Sequence, residues 1–243
     1  MKEILNQVGL MNEANRKAWV EKTLGKIPSG SRILDAGAGE QSYRKYCSHL
    51  VYVAQDFAKY DGSGDKVGLQ TGTWDQTKLD IVSDITSIPE PDGSFDAILC
   101  VEVFEHLPEP TKALAEFARL LRPDGHLILT APVCSLTHFA PYYFYNGFSR
   151  YFYEKFLGDF GFEITELSPN GNYFEYLGQE VRRIRWASRK YAGGKSFGII
   201  DRLALRRCLS MLHRSSKADT GSSELLSFGL HIHARKISKS TKS

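Results

Sequence analysis

The chain has no apolar run approaching the roughly 20 residues of a membrane-spanning helix. Its start, Met1-Lys2-Glu3-Ile4-Leu5-Asn6-Gln7, lacks the apolar core of a secretion signal. Cysteine is scarce: Cys47, Cys100, Cys134 and Cys208 are scattered, without a C-x-x-C pair. That argues against a disulfide framework or a cysteine-based zinc site and fits reduced thiols. No metal-ligand spacing is visible, so no metal is expected. These absences predict a cytoplasmic protein. Net excess charge is also small, +3 over 243 residues, but it is unevenly divided. Residues 1–180 carry 16 Lys and Arg against 25 Asp and Glu, net −9, whereas residues 181–243 carry 15 against 3, net +12. Such asymmetry marks either an anionic partner for the C-terminal part or basic helix faces turned to solvent.

What is present centres on Arg32-Ile33-Leu34-Asp35-Ala36-Gly37-Ala38-Gly39-Glu40-Gln41. A short apolar run ends on a carboxylate, two glycines follow, and a polar stretch then starts a helix, expected over about 41–49. Strand, glycine turn and helix start make a nucleotide-binding corner, because a glycine lets the backbone approach a ligand closely. The dinucleotide fingerprint G-x-G-x-x-G is incomplete, since Ser42 stands where the third glycine belongs. Asp35 would repel a pyrophosphate but suits a cation.

The flanking segments read as an alternating α/β chain. Residues 10–24 pattern as a helix with Met11, Ala14, Ala18 and Trp19 on one face. Val51–Gln55 is a second strand ending in Asp56-Phe57, about twenty residues past the glycines, where a carboxylate accepts both ribose hydroxyls. Residues 58–78 form a loop whose Trp74 either stacks on a base or covers core. Leu79–Ile85 is a short strand presenting Asp84. Phe95–Val101 is nearly all apolar, as a central parallel strand is, and runs into Glu102-Val103-Phe104-Glu105-His106-Leu107. Pro110 opens a helix carrying Leu114, Phe117, Ala118 and Leu121, and His126–Pro132 is the next strand. A helix from about Ser149 and a strand over 161–167 follow. Ser227–Lys236 alternates as the last strand.

The ordered set D-A-G-A-G (35–39), Asp56, S-D-I (83–85), F-D-A-I-L (95–99), E-H-L (105–107) and L-L-R-P-D-G-H-L-I-L (120–129) resembles the small-molecule branch of the class I S-adenosylmethionine-dependent methyltransferases over about residues 30–168. The resemblance implies an α/β fold: a doubly wound, mostly parallel, seven-stranded Rossmann-like sheet with an antiparallel last strand. It implies S-adenosylmethionine as cofactor, held by Asp35, Gly37, Ala38, Gly39, Asp56, Phe57, Asp84, Ile85 and Glu102. Asp84 would accept from the adenine amine, the Ile85 N–H would donate to the ring, and Glu102 would lie near the methionine end. One departure is Gln41, where the family often has a further glycine; its side chain must point away from the methionine pocket. The N-P-P-[YF] signature of nucleic-acid amino methylation is absent after the fourth strand, so nucleic acid is not the expected acceptor.

The expected organisation is an N-terminal helix (1–29), a methyltransferase core (30–169 and 226–237), a basic helical insertion or cap (170–225) with helices at about 173–191 and 198–213, a polar mobile stretch at 215–223, and a disordered tail (238–243). The acceptor side should lie in residues 132–153, where His138, Tyr142, Tyr143, Tyr145, Tyr151 and Tyr153 make either a pocket for a ring or sugar or an aromatic packing seam. In-line attack on a sulfonium methyl needs alignment, and an oxygen nucleophile also benefits from a base. The candidates are His138, His106 and Glu102, with His106 fitted better to shaping the loop. The insertion interleaves Arg182, Arg183, Arg185, Arg189, Lys190, Lys195, Arg202, Arg206 and Arg207 with Trp186 and Tyr191. It suits a membrane surface or a sugar- or lipid-linked acceptor. Two alternatives remain: a catalytically idle module of the same fold, and a nicotinamide-dependent reductase, disfavoured by Asp35 and Ser42.

Overall fold

Residues 7–193 and 197–238 are described in the computed structural model of the chain. Among them, seven strands form one sheet in the order β3-β2-β1-β4-β5-β7-β6. The strands are β1 Arg32–Ala36, β2 Val51–Asp56, β3 Ile81–Val82, β4 Phe95–Val101, β5 Leu121–Pro132, β6 Phe162–Asn170 and β7 Gly229–Lys236. β3, β2, β1, β4 and β5 pair in parallel, and β7 pairs antiparallel with β5, His233 opposite Ile128. This is the predicted doubly wound sheet with an antiparallel final strand.

The chain divides into two compact units. One comprises residues 18–168 and 229–238 and holds nearly all of the sheet. Its strands are buried on both faces, which explains their continuous apolar runs. Successive residues alternate between two cores. Leu34, Ile98, Cys100, Leu127 and Leu129 pack with Leu114 and Phe117 of α2 (Pro110–Leu120) and with Tyr153 and Leu157 of α3 (Arg150–Asp159). Ile33, Ala97, Leu99 and Ile128 pack on the other face with Val20 and Leu24 of α1 (Asn12–Leu24).

The second unit joins residues 7–17 to 169–228, which contain α4 (Tyr173–Tyr191) and α5 (Ile199–Lys217). Gly9 lies so close to α4 that a Cβ would stand 2.1 Å from the Gln179 nitrogen. Its N–H donates to Glu175 Oε2 at 2.7 Å, and Arg182 Nε donates to the Val8 carbonyl at 2.8 Å. Asn172 caps α4 by accepting from the Glu175 N–H.

Several local expectations are corrected. No α-helix follows the glycine corner. Gln41 adopts a left-handed φ of 57°, and only a 3-10 turn forms, at Arg44–Tyr46. Ala14 and Ala18 are exposed, so the face of α1 turned to the sheet is Val20 and Leu24, one turn apart. Trp19 packs against the same core, donates to Glu166 Oε1 at 2.7 Å and stacks on His231. The stretch 215–223 is largely ordered: α5 runs to Lys217, and Asp219 accepts from the N–H groups of Gly221 and Ser222. Lys195 and tail residues 239–243 lie outside the described residues.

Candidate functional site

The strand tips create the site. In a parallel sheet, the loops after the C-terminal strand ends face one crevice. Here they line a cavity of about 290 Å³. Of the predicted cofactor residues, Gly37 after β1, Asp56 and Phe57 at the end of β2, Asp84 and Ile85 after β3, and Glu102 after β4 are all in its wall. His106 is there too. Asp35, Ala38, Gly39 and His138 are not among the lining residues.

Asp35 lies beneath the corner. It is buried and accepts a hydrogen bond from the Tyr52 hydroxyl. Burial pushes its carboxyl up to about 7 despite that bond. Gly39 is buried because Trp74 packs on it; a Cβ there would be 3.0 Å from the indole ring. Trp74 also meets Tyr60 and Phe139 edge-on, and all three rings line the cavity.

Asp56 is buried and holds the corner in shape. Its Oδ2 accepts from the Gly39 N–H at 2.9 Å, and its Oδ1 from the Ala58 N–H at 2.9 Å and Gln76 at 3.3 Å. Two carboxylate oxygens offer about four acceptor sites, so capacity for a ligand remains. Asp84 accepts from the Thr86 N–H and hydroxyl, which hold its carboxyl below the usual range. Glu102 accepts from the Thr130 hydroxyl at 2.8 Å. Four carboxylates (Asp56, Asp84, Glu102 and Glu109) therefore line the cavity against one ammonium, Lys59.

The aromatic segment 132–153 divides between both readings. Phe139, Tyr142 and Phe144 line the cavity. Tyr153 is fully buried among Phe104, Phe148 and Phe152, and Tyr151 is exposed. Tyr143 donates to the Ser135 carbonyl at 2.7 Å, and Tyr145 to the Pro108 carbonyl at 3.1 Å. The segment is joined to the 58–78 loop: Leu69 N–H donates to the Thr137 carbonyl, and Phe139 N–H to the Leu69 carbonyl, each at 3.0 Å.

A second cluster adjoins the cavity through His106. Glu105 is fully buried, and neither carboxylate oxygen has a hydrogen-bond partner. His138 Nε2 lies 3.6 Å and His106 Nε2 3.8 Å from Glu105 Oε1. Burial raises the Glu105 carboxyl. Burial, with the neighbouring His138, pushes His106 down to about 3. Burial also works against a charged His138, but the Glu105 carboxylate overcomes it and holds this imidazole above its ordinary value.

A family model described as a methyltransferase domain matches residues 11–167. The chain belongs to this methyltransferase family. The ubiquinone biosynthesis O-methyltransferase of Xanthomonas oryzae pv. oryzae is 32% identical over 108 residues, 42% of this chain and 43% of that protein. The chain thus matches less than half the length of that relative. The demethylmenaquinone methyltransferase of Renibacterium salmoninarum is 29% identical over 187 residues, 74% of this chain and 71% of that protein. Among solved structures, a putative sarcosine dimethylglycine methyltransferase from Galdieria sulphuraria superposes with a TM-score of 0.55 at 16% identity, over 93% of this chain and 86% of that one. That likeness concerns the fold.

Three features of this family member are not evident in its sequence pattern. Gln55, buried at the tip of β2, accepts from the Gly37 N–H through its backbone carbonyl at 2.9 Å and donates from Nε2 to the Ser83 carbonyl at 2.7 Å, tying two cavity loops together. Its signal was a polar residue in an apolar strand. Phe139 closes an aromatic wall that only the fold assembles. Glu105 was read merely as part of E-H-L, and its contact with His138 spans 32 intervening residues that include α2 and β5, beyond any local spacing rule.

Proposed function

We propose that the chain binds S-adenosylmethionine in the strand-tip cavity and transfers its methyl group to a small-molecule acceptor. The observation that carries this reading is the charge of the wall: four carboxylates and one lysine suit a cationic donor and disfavour a pyrophosphate. A nicotinamide cofactor fits poorly for the same reason. In this reading Asp56 takes the ribose hydroxyls, Asp84 and Ile85 the adenine edge, Phe57 an adenine face, and Gly37 the methionine end beside Glu102, with Ala38 and Gly39 shaping the turn behind the wall. Asp35 acts from below, through its field and its hold on the strand tip. The cofactor, when bound, supplies an electrophilic methyl group. The chain's own part is to align the acceptor nucleophile with it and to exclude water.

The acceptor we favour is a ring-bearing hydroxyl compound, free or linked to a lipid or sugar. Phe139, Tyr142 and Phe144 offer it aromatic faces. Relatives named as a ubiquinone biosynthesis O-methyltransferase and a demethylmenaquinone methyltransferase support a ring acceptor. Glu102 is the base candidate at the cavity; His106, whose Nδ1 is engaged by the Tyr142 carbonyl and whose Nε2 faces Glu105, suits shaping of the loop better, and His138 stands behind it. Calorimetry with S-adenosylmethionine and S-adenosylhomocysteine, followed by a methyl-transfer screen of phenols, quinols and glycosides, tests the reading. One-to-one binding in the micromolar range, weakened by Asp84→Ala, is the expected result. Absence of binding at millimolar cofactor would overturn it.

A further inference from the structure

Glu105, His106 and His138 form the one group of three ligand-type side chains, among the described residues, whose donor atoms all lie within 4.8 Å of one another. Proximity alone would mean little. The decisive point is which atoms face inward. His106 Nδ1 lies 2.5 Å from the Tyr142 carbonyl, and His138 Nδ1 lies 2.8 Å from the Leu136 carbonyl. A carbonyl only accepts, so each Nδ1 carries the proton and donates it. In the neutral ring, that leaves each Nε2 as a bare lone pair. Both Nε2 atoms are turned toward a carboxylate that is wholly buried and has no donor on either oxygen. Three ligand-type atoms thus converge, with no hydrogen-bond donor from the surrounding chain on either carboxylate oxygen. A carboxyl buried in such a place must take up a proton, share one with an imidazole or bind a cation, and a divalent cation at the centre satisfies all three lone pairs at once.

We infer that Glu105 Oε1, His106 Nε2 and His138 Nε2 bind a divalent transition-metal ion of the zinc class. Two imidazoles and one carboxylate form a known facial ligand set with open positions. The backbone carbonyls of Tyr142 and Leu136 supply the outer hydrogen bonds that fix the tautomer of metal-bound histidines. For bonds of about 2.1 Å, tetrahedral ligand atoms stand roughly 3.4 Å apart. The observed 3.6 and 3.8 Å need only a slight contraction, and the third pair lies within 4.8 Å. His106 is shared with the strand-tip cavity, so an open coordination position there would face an acceptor. An ion at that point is a Lewis acid, able to bind an acceptor hydroxyl and promote loss of its proton. This last role rests on the methyl-transfer reading; the binding of the ion does not.

The competing arrangement is a protonated His138 paired with the Glu105 carboxylate, and the two separate cleanly. Chelator-treated protein is titrated with Co²⁺, read by the visible absorption of the bound ion, and with Zn²⁺ by calorimetry. The expected result is one ion per chain, with a Kd on the order of 10 μM or tighter. Glu105→Gln, which keeps the shape and removes the anion, should weaken binding at least ~100-fold. If that variant fails to fold, His138→Asn carries the same expectation at a less buried position. Melting temperature and S-adenosylhomocysteine binding report on folding and on the cofactor site separately, so failure of the metal site is distinguishable from failure of the cofactor reading. The proposal is overturned if neither ion saturates a site at millimolar concentration, or if binding survives both substitutions.

Discussion

Asp56 accepts three hydrogen bonds from its own chain while lining the cavity, so in the proposed reading it serves structure and ligand at once. Asp56→Asn replaces one acceptor oxygen with an N–H donor that must oppose either Gly39 or Ala58. We expect S-adenosylhomocysteine affinity to fall by about 10–100-fold, and stability by about 1–2 kcal/mol, measured by calorimetry and thermal melting. Asp35 gives a pH signature. Its carboxyl is raised from 3.8 to about 7, so the folded state holds a proton that the unfolded state releases between those values. Stability contributed by that proton is whole below pH 4, falls as pH rises toward 7, and is lost above it. Asp35→Asn should therefore melt several degrees higher than the parent at pH 8, with the gap closing by pH 4–5. A pH-independent gap would contradict the assignment. Asp56 and Asp84 were legible because each is an acid at the end of an apolar run. Glu105 was not, since burial without a partner is a property of the folded surroundings.

At the scale of elements, the corner after β1 works by close approach. Gly37 has φ +77°, and a Cβ there would stand 2.5 Å from Val103 Cγ2, a residue of the cavity wall. Gly30 also has positive φ, +82°, but nothing lies within 4 Å. Gly37→Ala should cost roughly 3 kcal/mol and at least ~10-fold in cofactor affinity, whereas Gly30→Ala should cost about 1 kcal/mol and leave affinity unchanged. Paired melting and calorimetry check this. The strands were readable because burial on both faces writes itself as apolar runs. The helix expected after the glycines was not formed, because Gln41 in left-handed geometry turns the chain back before a full helical turn can close. The α1 face was misread because alanines scarcely signal orientation, and its anchoring residues sit only in the last two turns.

At the scale of the molecule, charge is segregated toward the C-terminal quarter. In α5, Ile199 and Ile200 are 85% and 83% exposed, and Leu203 is exposed beside Arg202, Arg206 and Arg207. No described helix is long and apolar enough to cross a membrane. Apolar and basic side chains together on one exposed helix suit an anionic bilayer surface. We expect flotation with phosphatidylglycerol vesicles at low salt and none with phosphatidylcholine. Adding ~0.5 M salt, or the charge reversal Arg202→Glu with Arg206→Glu and Arg207→Glu, should abolish it; flotation that ignores both would refute electrostatic docking. The sequence displayed this asymmetry plainly, but not that residues 7–17 share a compact unit with the basic helices, since packing between distant segments leaves no periodic mark.

The backbone clasp between Leu69 and the Thr137–Phe139 stretch has a kinetic consequence. It fastens the segment that covers the glycine corner to the one that positions His138. Neither segment can shift far without the other, so on the methyl-transfer reading a change that loosens one should alter access of donor and acceptor together.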